Sequence, residues 1–450
     1  MNFDLLKQAL VSALGDEGLT EYEIYYMSDE STSVSTLNKE VNSFSSSGSG
    51  GLCLRVLVDG KMGYASTELM TEPEMRELAL RAKANAYATE KPDTVGIFAG
   101  SDSYDELRIK KAELLSASEL KAYAIKTGEA LFAKDPAVKE GTSSQAIAAG
   151  TTVRLVNSHG VDLSLECGIN ALIGEAVVGV DGENQSDYSF KNLSADKADE
   201  VIAEVTSEAV GEALSKIGAG AVNSGKYNVV IDGNQMRSLL SVFSSSFSAK
   251  AVLDGMSRLK GLEGEVIASD IVTITDDPQR EGNAVGTFFD AEGVAAHRKA
   301  VVEAGVLKTF LHNRETALAM GKETTANASK AGYSSPIGVR PYSFAIEPGD
   351  KSRDELFTLV NDGIFITEIN GLHAGANPVS GDFSLQSAGF MIRGGKKCEA
   401  VKGFTVAGNF FELLKNIAAL GNKLERGIVT GFTSFASPDV FVPDMSVAGK

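Results

Sequence analysis

Histidine is scarce in this sequence, and the scarcity limits the chemistry open to it. Its 450 residues include only four: His159, His297, His312 and His373. A hydrolytic zinc site needs about three N, S or O ligands and an open position. Its usual sequence sign is two histidines one turn apart on a helix with a glutamate beside them. No pair here has that spacing. If 296–302 and 306–312 form a hairpin, His297 and His312 point to opposite faces, and only a one-residue slip would unite them. Ordinary strand and loop histidines are therefore expected.

Other shortages narrow the function further. The three cysteines, Cys53, Cys167 and Cys398, are odd in number and far apart. That suits reduced thiols in the cytoplasm, not a disulfide framework. Cys398 follows two lysines in "RGGKKCEA", which favours a thiolate, but a hairpin turn beside a strand is the expected setting. Basic residues number 42 against 60 acidic ones, a net charge of −18. A chain so charged lacks the basic clusters that displace counterions from nucleic acid, and it is repelled by anionic membranes. No run of 18 apolar residues is present, so no bilayer-spanning helix is expected. The start, "MNFDLLKQALVSALGDEG", reads as an amphipathic helix with Asp4 where a signal peptide would be basic. No targeting segment is expected, and the location is expected to be cytoplasmic. Neither a G-x-S-x-G elbow nor a G-x-x-x-x-G-K-[ST] phosphate loop occurs. Tryptophan is missing, while 46 glycines and 10 prolines fit a β-rich protein with many tight turns.

The length predicts two or three domains. One pattern runs twice through the first 220 residues. A helix at about 3–14 precedes the strand-like runs "EYEIYYM", "STSVSTLN", "GLCLRVLVDG" and "KMGYAST", and a second helix starts at a Thr71–Glu74 capping box. The pattern restarts at a Ser116–Glu119 box, continues through "SQAIAAGT", "TVRLVNSHG", "VDLSLECG" and "INALIGEAVVGV", and closes on a long helix. Meanders with Asp-Gly and Gly-Lys turns imply antiparallel sheets. The expected class is α+β: a duplicated helix and antiparallel-meander N-terminal region, then a β-rich C-terminal domain with antiparallel sheets. The expected boundaries are 1–92, 110–218 and 222–450. In the last domain a hairpin turns around Glu303 to Gly305, and helices are expected at 351–361 and 409–421.

Two segments of that domain stand out. Residues 234–251, "NQMRSLLSVFSSSFSAKA", place Met236, Leu239, Leu240, Phe243 and Phe247 at helical spacing. Ser238, Ser241, Ser245 and Ser248 fall on the opposite face of such a helix. A serine nucleophile needs a base and a group that orients it, and the nearest histidine in sequence to this stretch is His297. A close-packed or partner-covered helix face is the plainer expectation. The second segment is "GLHAGANPVSGDFSLQSAGFMI", residues 371–392. Gly371, Gly375 and Gly381 let the backbone bend, and His373, Asn377, Ser380 and Asp382 bring polar side chains to one place. A glycine-rich loop entering a strand can hold an extended peptide by backbone pairing, so these six residues form the candidate peptide-contact loop.

The third domain resembles a known family. "GTFFDAEGVAAHRKAVVEAGVLKTFLHNRETALAMG" (286–321), "TTANASKAG", "VSGDFSLQSAGFMIRGGKKCEAVKGFTVAGNFFELLKNIAALGN" (379–422) and the closing "VPDMSVAGK" are similar to the signature segments of TldD/PmbA proteins. The PmbA branch is also called TldE and carries the older label "modulator of DNA gyrase". The resemblance implies a cytosolic two-protein zinc metalloprotease that processes small or unfolded peptides. Its TldD subunit carries a His-Glu-x-x-x-His helix and a C-terminal cysteine, and its TldE/PmbA subunit lacks both. Carried onto this chain, the helix motif falls near Ser241 and Ser246, with Val242 at the glutamate. No His, Cys, Asp or Glu lies between 234 and 253, and the cysteine segment reads "TGFTSFASPDV" (430–440). The implied reading is a noncatalytic TldE/PmbA subunit that holds no metal or cofactor itself. Its zinc would sit in a TldD-like partner, its ligand would be a peptide substrate, and alone it could self-associate. The alternatives are a regulatory binding protein of the gyrase-modulator type and an independent Ser or Cys hydrolase.

Overall fold

The computed structural model describes residues 3–429 and 431–450. In the first unit α1 (Phe3–Asp16) precedes the strands β1 (Tyr22–Leu37), β2 (Glu40–Val58) and β3 (Lys61–Thr67), and α2 (Glu72–Ala88) follows. The second repeats the order with α3 (Ala117–Lys134), β4 (Ser143–Asn157), β5 (Asp162–Val180), β6 (Glu183–Asn192) and α4 (Ala198–Ser215). The two meanders are one sheet. β1 pairs antiparallel with β4 from Glu23↔Asn157 to Leu37↔Ser143, giving the order β3-β2-β1-β4-β5-β6.

Several runs expected as separate strands are continuous. β1 passes through Ser28, Asp29 and Glu30, and β4 through Gly150 and Thr151, because each is laddered to a neighbour on both sides. Backbone pairing holds polar residues in a central strand even where the apolar alternation fades. Two stretches the pattern did not mark also belong to the sheet: the serine-rich 40–50 part of β2, and β6. The Ser116–Glu119 capping box forms completely, whereas Thr71 makes no side-chain cap bond and Glu74 instead pairs with Arg81 at 2.6 Å.

Helices cover one face of the sheet. Leu10 and Leu14 of α1 and Met75 and Leu78 of α2 pack with Ile24, Leu52 and Leu54, while Leu120 of α3 and Ile202 of α4 pack with Val34 and Leu172. The opposite face places Tyr25, Met27, Cys53 and Leu165 against Phe289, Ala291 and Ala328 of the C-terminal region. This joins the two halves of the molecule through an apolar seam.

In the C-terminal region β7 (Gly225–Ile231) lies between strand Gly363–Asn370, which is parallel to it, and strand Val440–Ala448, which is antiparallel. Strands Asp382–Arg393 and Lys396–Asn409 continue the sheet, and Thr405↔Ala448 to Ala407↔Ser446 closes it into a ring of five strands. The domain is β-rich and mostly antiparallel, with this parallel pair and a second at Ser343–Ile346 with Ser434–Ser437. The hairpin turns at Ala304 (φ 46°) and Gly305 (φ 81°) between Lys299–Glu303 and Val306–Leu307, and its strands are shorter than expected. The two expected late helices are Arg353–Val360 and Phe410–Asn416.

The close approach of α2 to β3 depends on Gly63, where an added Cβ would lie 2.0 Å from the Ala82 carbonyl oxygen. Backbone cannot yield there as a flexible side chain would. Gly63→Val is expected to destabilise the folded protein by about 1–3 kcal/mol, read as a lower midpoint in urea denaturation. A midpoint unchanged from wild type would show that α2 can move off the sheet freely.

Candidate functional site

The expected serine helix is not one helix. α5 (Gly233–Phe243) passes into a 3-10 turn, Ser244–Phe247, and then into α6 (Ala249–Leu253). The break has an external cause. Leu311 N donates to Phe247 O at 2.8 Å and Ala249 N donates to Leu311 O at 2.9 Å, a parallel bridge that draws Ser248 out of helical geometry. The apolar side is as the spacing predicts: Met236, Leu239, Leu240, Phe243 and Phe247 are all buried, and Phe243 stacks on Phe410 at 4.5 Å between ring centroids.

The hydroxyl side is largely occupied by the helix's own backbone. Ser238 Oγ donates to Asn234 O, Ser241 Oγ to Ser238 O and Ser244 Oγ to Ser241 O, each at 2.8 Å. Serines in helices make such bonds readily, and a hydroxyl that donates to a carbonyl gives no proton to a base. Ser245 is exposed, and among the described residues no histidine side chain bonds any of these serines. Ser246 is fully buried and donates to Pro378 O at 2.8 Å.

That last bond joins the two segments singled out in the sequence. The loop 371–382 begins at Gly371 (φ 81°), makes the short helix Leu372–Gly375, and turns at Gly381 (φ 84°). Its polar residues build the turn. Asn377 Oδ1 accepts from Val379 N at 2.9 Å, Ser380 Oγ accepts from Asp382 N at 3.3 Å, and Asp382 Oδ1 accepts from Asn409 Nδ2 at 2.8 Å. The Asn409 bond, with one from Ser380, holds the Asp382 carboxyl below its ordinary range. Three of the six expected contact residues therefore spend side-chain bonds on the loop itself. Gly375 packs where a Cβ would meet Ser384 O at 2.4 Å. His373 is exposed.

The other histidines lie apart. His159 is 2.9 Å from Glu21, His297 is exposed, and His312 is fully buried with Nδ1 3.3 Å from Thr316 Oγ1. Sequence reasoning missed two residues that fix the loop. Arg258 Nη1 donates to Ser380 O at 3.1 Å, and Asn409 Nδ2 donates to the same oxygen at 2.9 Å. Asn409 had a readable signal, an asparagine directly before a helix, and its Oδ1 does accept from Phe411 N. Arg258 had none. A cavity of about 780 Å3 lies elsewhere, among Arg108, Ile169, Asn192 and Asp277. The serine turn does not line it.

Comparison with known proteins places this arrangement. Models of the PmbA/TldA metallopeptidase domain 1, central domain and C-terminal domain match residues 22–86, 110–217 and 224–449. The chain belongs to the PmbA/TldD family. A protein named metalloprotease from Methanothermobacter thermautotrophicus is 30% identical over 407 residues, spanning 88% of this chain and 86% of that one. The metalloprotease PmbA of Escherichia coli O157:H7 is 23% identical over 295 residues, or 65% of this chain and 62% of that one. Among solved structures, a Thermotoga maritima protein described as a candidate modulator of a DNA gyrase superposes with a TM-score of 0.88 at 30% identity, covering 99% of this chain and 100% of that one. TldE of Thermococcus kodakarensis shares the fold, with a TM-score of 0.86 at 21% identity over 98% of this chain and 100% of that one.

The family's metallopeptidase name raises the question of a metal, and the donor set of this PmbA/TldD chain does not fit one. Among the described residues no group of three or more His, Cys, Asp or Glu is placed to hold an ion. At the three positions onto which the resemblance would carry the helix motif, Ser241 is bonded to its own helix, Val242 is apolar, and Ser246 donates to Pro378 O. The acids that flank the serine stretch are also engaged, Asp232 by Arg353 and Asp254 by Lys250. In the segment of the expected cysteine, Thr430 lies outside the described residues. Ser434 Oγ accepts from Asn283 Nδ2 at 3.1 Å, and Ser437 Oγ donates to Pro438 O at 2.8 Å.

Two outcomes test this account of the PmbA/TldD site. Ser246 is fully buried, so Ser246→Ala removes the donor of the partly buried Pro378 carbonyl from the packed side and is expected to cost about 1–3 kcal/mol. Ser241→Ala removes a bond at a partly open surface and should cost under about 1 kcal/mol. Urea denaturation of the two variants checks the order, and an equal cost would contradict it. Alkylation of the native chain at pH 8 should label Cys398, which is exposed, and spare Cys53 and Cys167. Burial raises the Cys53 thiol and pushes Cys167 up to about 11. Rapid labelling of either buried thiol would contradict the packing of the seam.

Proposed function

We propose that this chain is the noncatalytic, TldE/PmbA-type subunit of a two-protein metallopeptidase. It helps to shape a peptide-holding chamber, and the catalytic zinc belongs to a TldD-like partner. The observation that carries the reading is the state of the helix at the motif positions. The segment keeps its apolar side, while the positions onto which the resemblance carries the motif's donors are Ser241 and Val242 at the end of α5 and Ser246 in the 3-10 turn after it, and both serines are tied into the local structure. The loop 371–382, bonded to Ser246 and clamped by Arg258 and Asn409, is the proposed peptide contact, with His373, Asn377 and Asp382 exposed on it. Backbone groups and a preformed turn suit substrates chosen by extension more than by sequence. We place the pair in the cytoplasm, in keeping with three free cysteines.

The hydrolase alternative finds no support in the serine geometry, because Ser238, Ser241 and Ser244 already donate to carbonyls, and the Cys398 thiol donates to the Lys396 carbonyl. The test is metal analysis and a peptidase assay on the chain alone and after mixing with a TldD-like protein. The chain alone is expected to hold well under one equivalent of zinc and to leave an unfolded peptide intact, and the mixture to cleave it. Stoichiometric zinc in the chain alone, lost in His373→Ala or His297→Ala, would overturn the proposal.

A further inference from the structure

Much of β2 has a neighbour on one side only. β1 pairs with it from Glu40 to Val56, but β3 reaches only Leu52 to Val58. Residues 40–50 therefore form a free sheet edge, and every residue from 40 to 49 is exposed. Their outward N–H and C=O groups find no partner among the described residues. At about 3.4 Å per residue the edge is roughly 35 Å long.

Proteins usually guard such edges with proline, lysine, a bulge or a very short strand. The stretch "EVNSFSSSGSG" contains neither proline nor lysine. The nearest lysine, Lys39 in the hairpin turn, points its Nζ over the Phe132 ring at 5.0 Å. The one register shift against β1, between Ser35 and Thr36, lies near the hairpin tip and leaves Phe44 to Gly50 in regular pairing. The vacant line has a defined end. It continues the track of β3, and it stops where the Tyr333 ring lies over Gly51, with Tyr333 Oη bonded to Glu68 at 2.6 Å.

The chemistry of the border indicates the guest. A stable folded partner needs an apolar interface centre, whereas this border is serine and glycine, with Phe44 (60% exposed) and Val41 (43%) as the apolar exceptions. Small side chains leave the backbone open and impose little on the guest's sequence. Asp29, Glu30 and Glu40 are exposed beside the edge, and the chain carries a net charge of −18. That field repels a second copy and attracts a cationic segment.

We propose that residues 40–50 of β2 are a strand-addition site for an extended peptide bearing lysine or arginine, held through its backbone. The class of guest rests on the peptide-handling reading above, but the slot itself stands on the sheet topology and is remote in sequence from 371–382. The experiment is hydrogen exchange on the full chain with a short peptide of alternating threonine and valine flanked by lysines. A second version of the peptide has every other amide N-methylated along one edge. The plain peptide is expected to slow exchange in 40–50 by roughly tenfold at about ten times its Kd, and the methylated one to leave it unchanged. Ser46→Pro and Ser47→Pro, made singly, direct the change inward in one case and outward in the other, and the outward one should abolish protection without lowering the thermal midpoint. No protection by the plain peptide, equal protection by the methylated one, or protection that rises with protein concentration alone would overturn the site, the last by identifying a second copy as the occupant. Protection at 40–50 without any at 371–382 would sustain this site and remove the proposed loop contact.

Discussion

Everything at the serine turn depends on how its helix is started. Two carboxylates meet where β7 passes into α5. Asp232 Oδ1 accepts from Asn234 N and Asp439 Oδ1 accepts from Gly233 N, both at 2.8 Å. These cap two of the amides that a helix N-terminus leaves free. Arg353 holds both acids, donating to Asp439 at 2.6 and 2.9 Å and to Asp232 at 2.8 Å. Burial pushes the Asp232 carboxyl up, Arg353 draws it down, and Asp439 raises it again. The guanidinium is what lets two acids share the space, since burying one without a countercharge would cost several kcal/mol. Gly233 is required as well, because a Cβ there would lie 2.6 Å from Ser437 O. The knot ties β7, helix Arg353–Val360 and the start of the last strand into one junction, and α5 leaves it in a fixed direction.

That junction fixes where α5 starts, and packing holds it there. Its apolar side is part of the ring's core, with Met236, Leu240, Phe243 and Phe247 fully buried. Losing Phe243 alone would cost about 3–5 kcal/mol. The opposite side carries no such constraint. Serine there satisfies itself against the preceding turn and needs no external partner, so the helix keeps its place in the fold whatever chemistry its outer face holds. The tie from Ser246 to Pro378 is the exception. It fixes the loop 371–382 relative to the helix, and Arg258 and Asn409 fix the same loop from the other side.

The sequence was most informative where one residue type could do only one thing. The Ser116–Glu119 box, the Ala304–Gly305 turn and the apolar stripe of α5 were legible because each rests on local geometry. Strand length was not, because polar β1 residues such as Ser28 and Asp29 are kept in the sheet by β2 and β4, which come from elsewhere in the chain. The Thr71 box failed for a related reason: Glu74 found Arg81, a partner the capping pattern does not consider. In the candidate loop, Asn377, Ser380 and Asp382 were legible as a polar cluster. The engagement of Asp382 was not, since its partner Asn409 is 27 residues farther along the chain.

Serine carries opposite meanings in the two places where it is abundant. On α5 a hydroxyl lies within reach of the carbonyl one turn back, so Ser238, Ser241 and Ser244 close the helix on itself and withdraw from chemistry. On β2 the strand's own carbonyls point sideways, out of reach of side chains that alternate above and below. There the hydroxyls pair across to β1, as in Ser35 with Ser43 at 2.7 Å and Thr32 with Ser46 at 3.2 Å, and the backbone of the edge stays open. The same side chain thus seals one element and leaves the other unsealed. Serine read as a nucleophile points to α5, whereas the exposed edge of β2 carries backbone groups without a protein partner among the described residues.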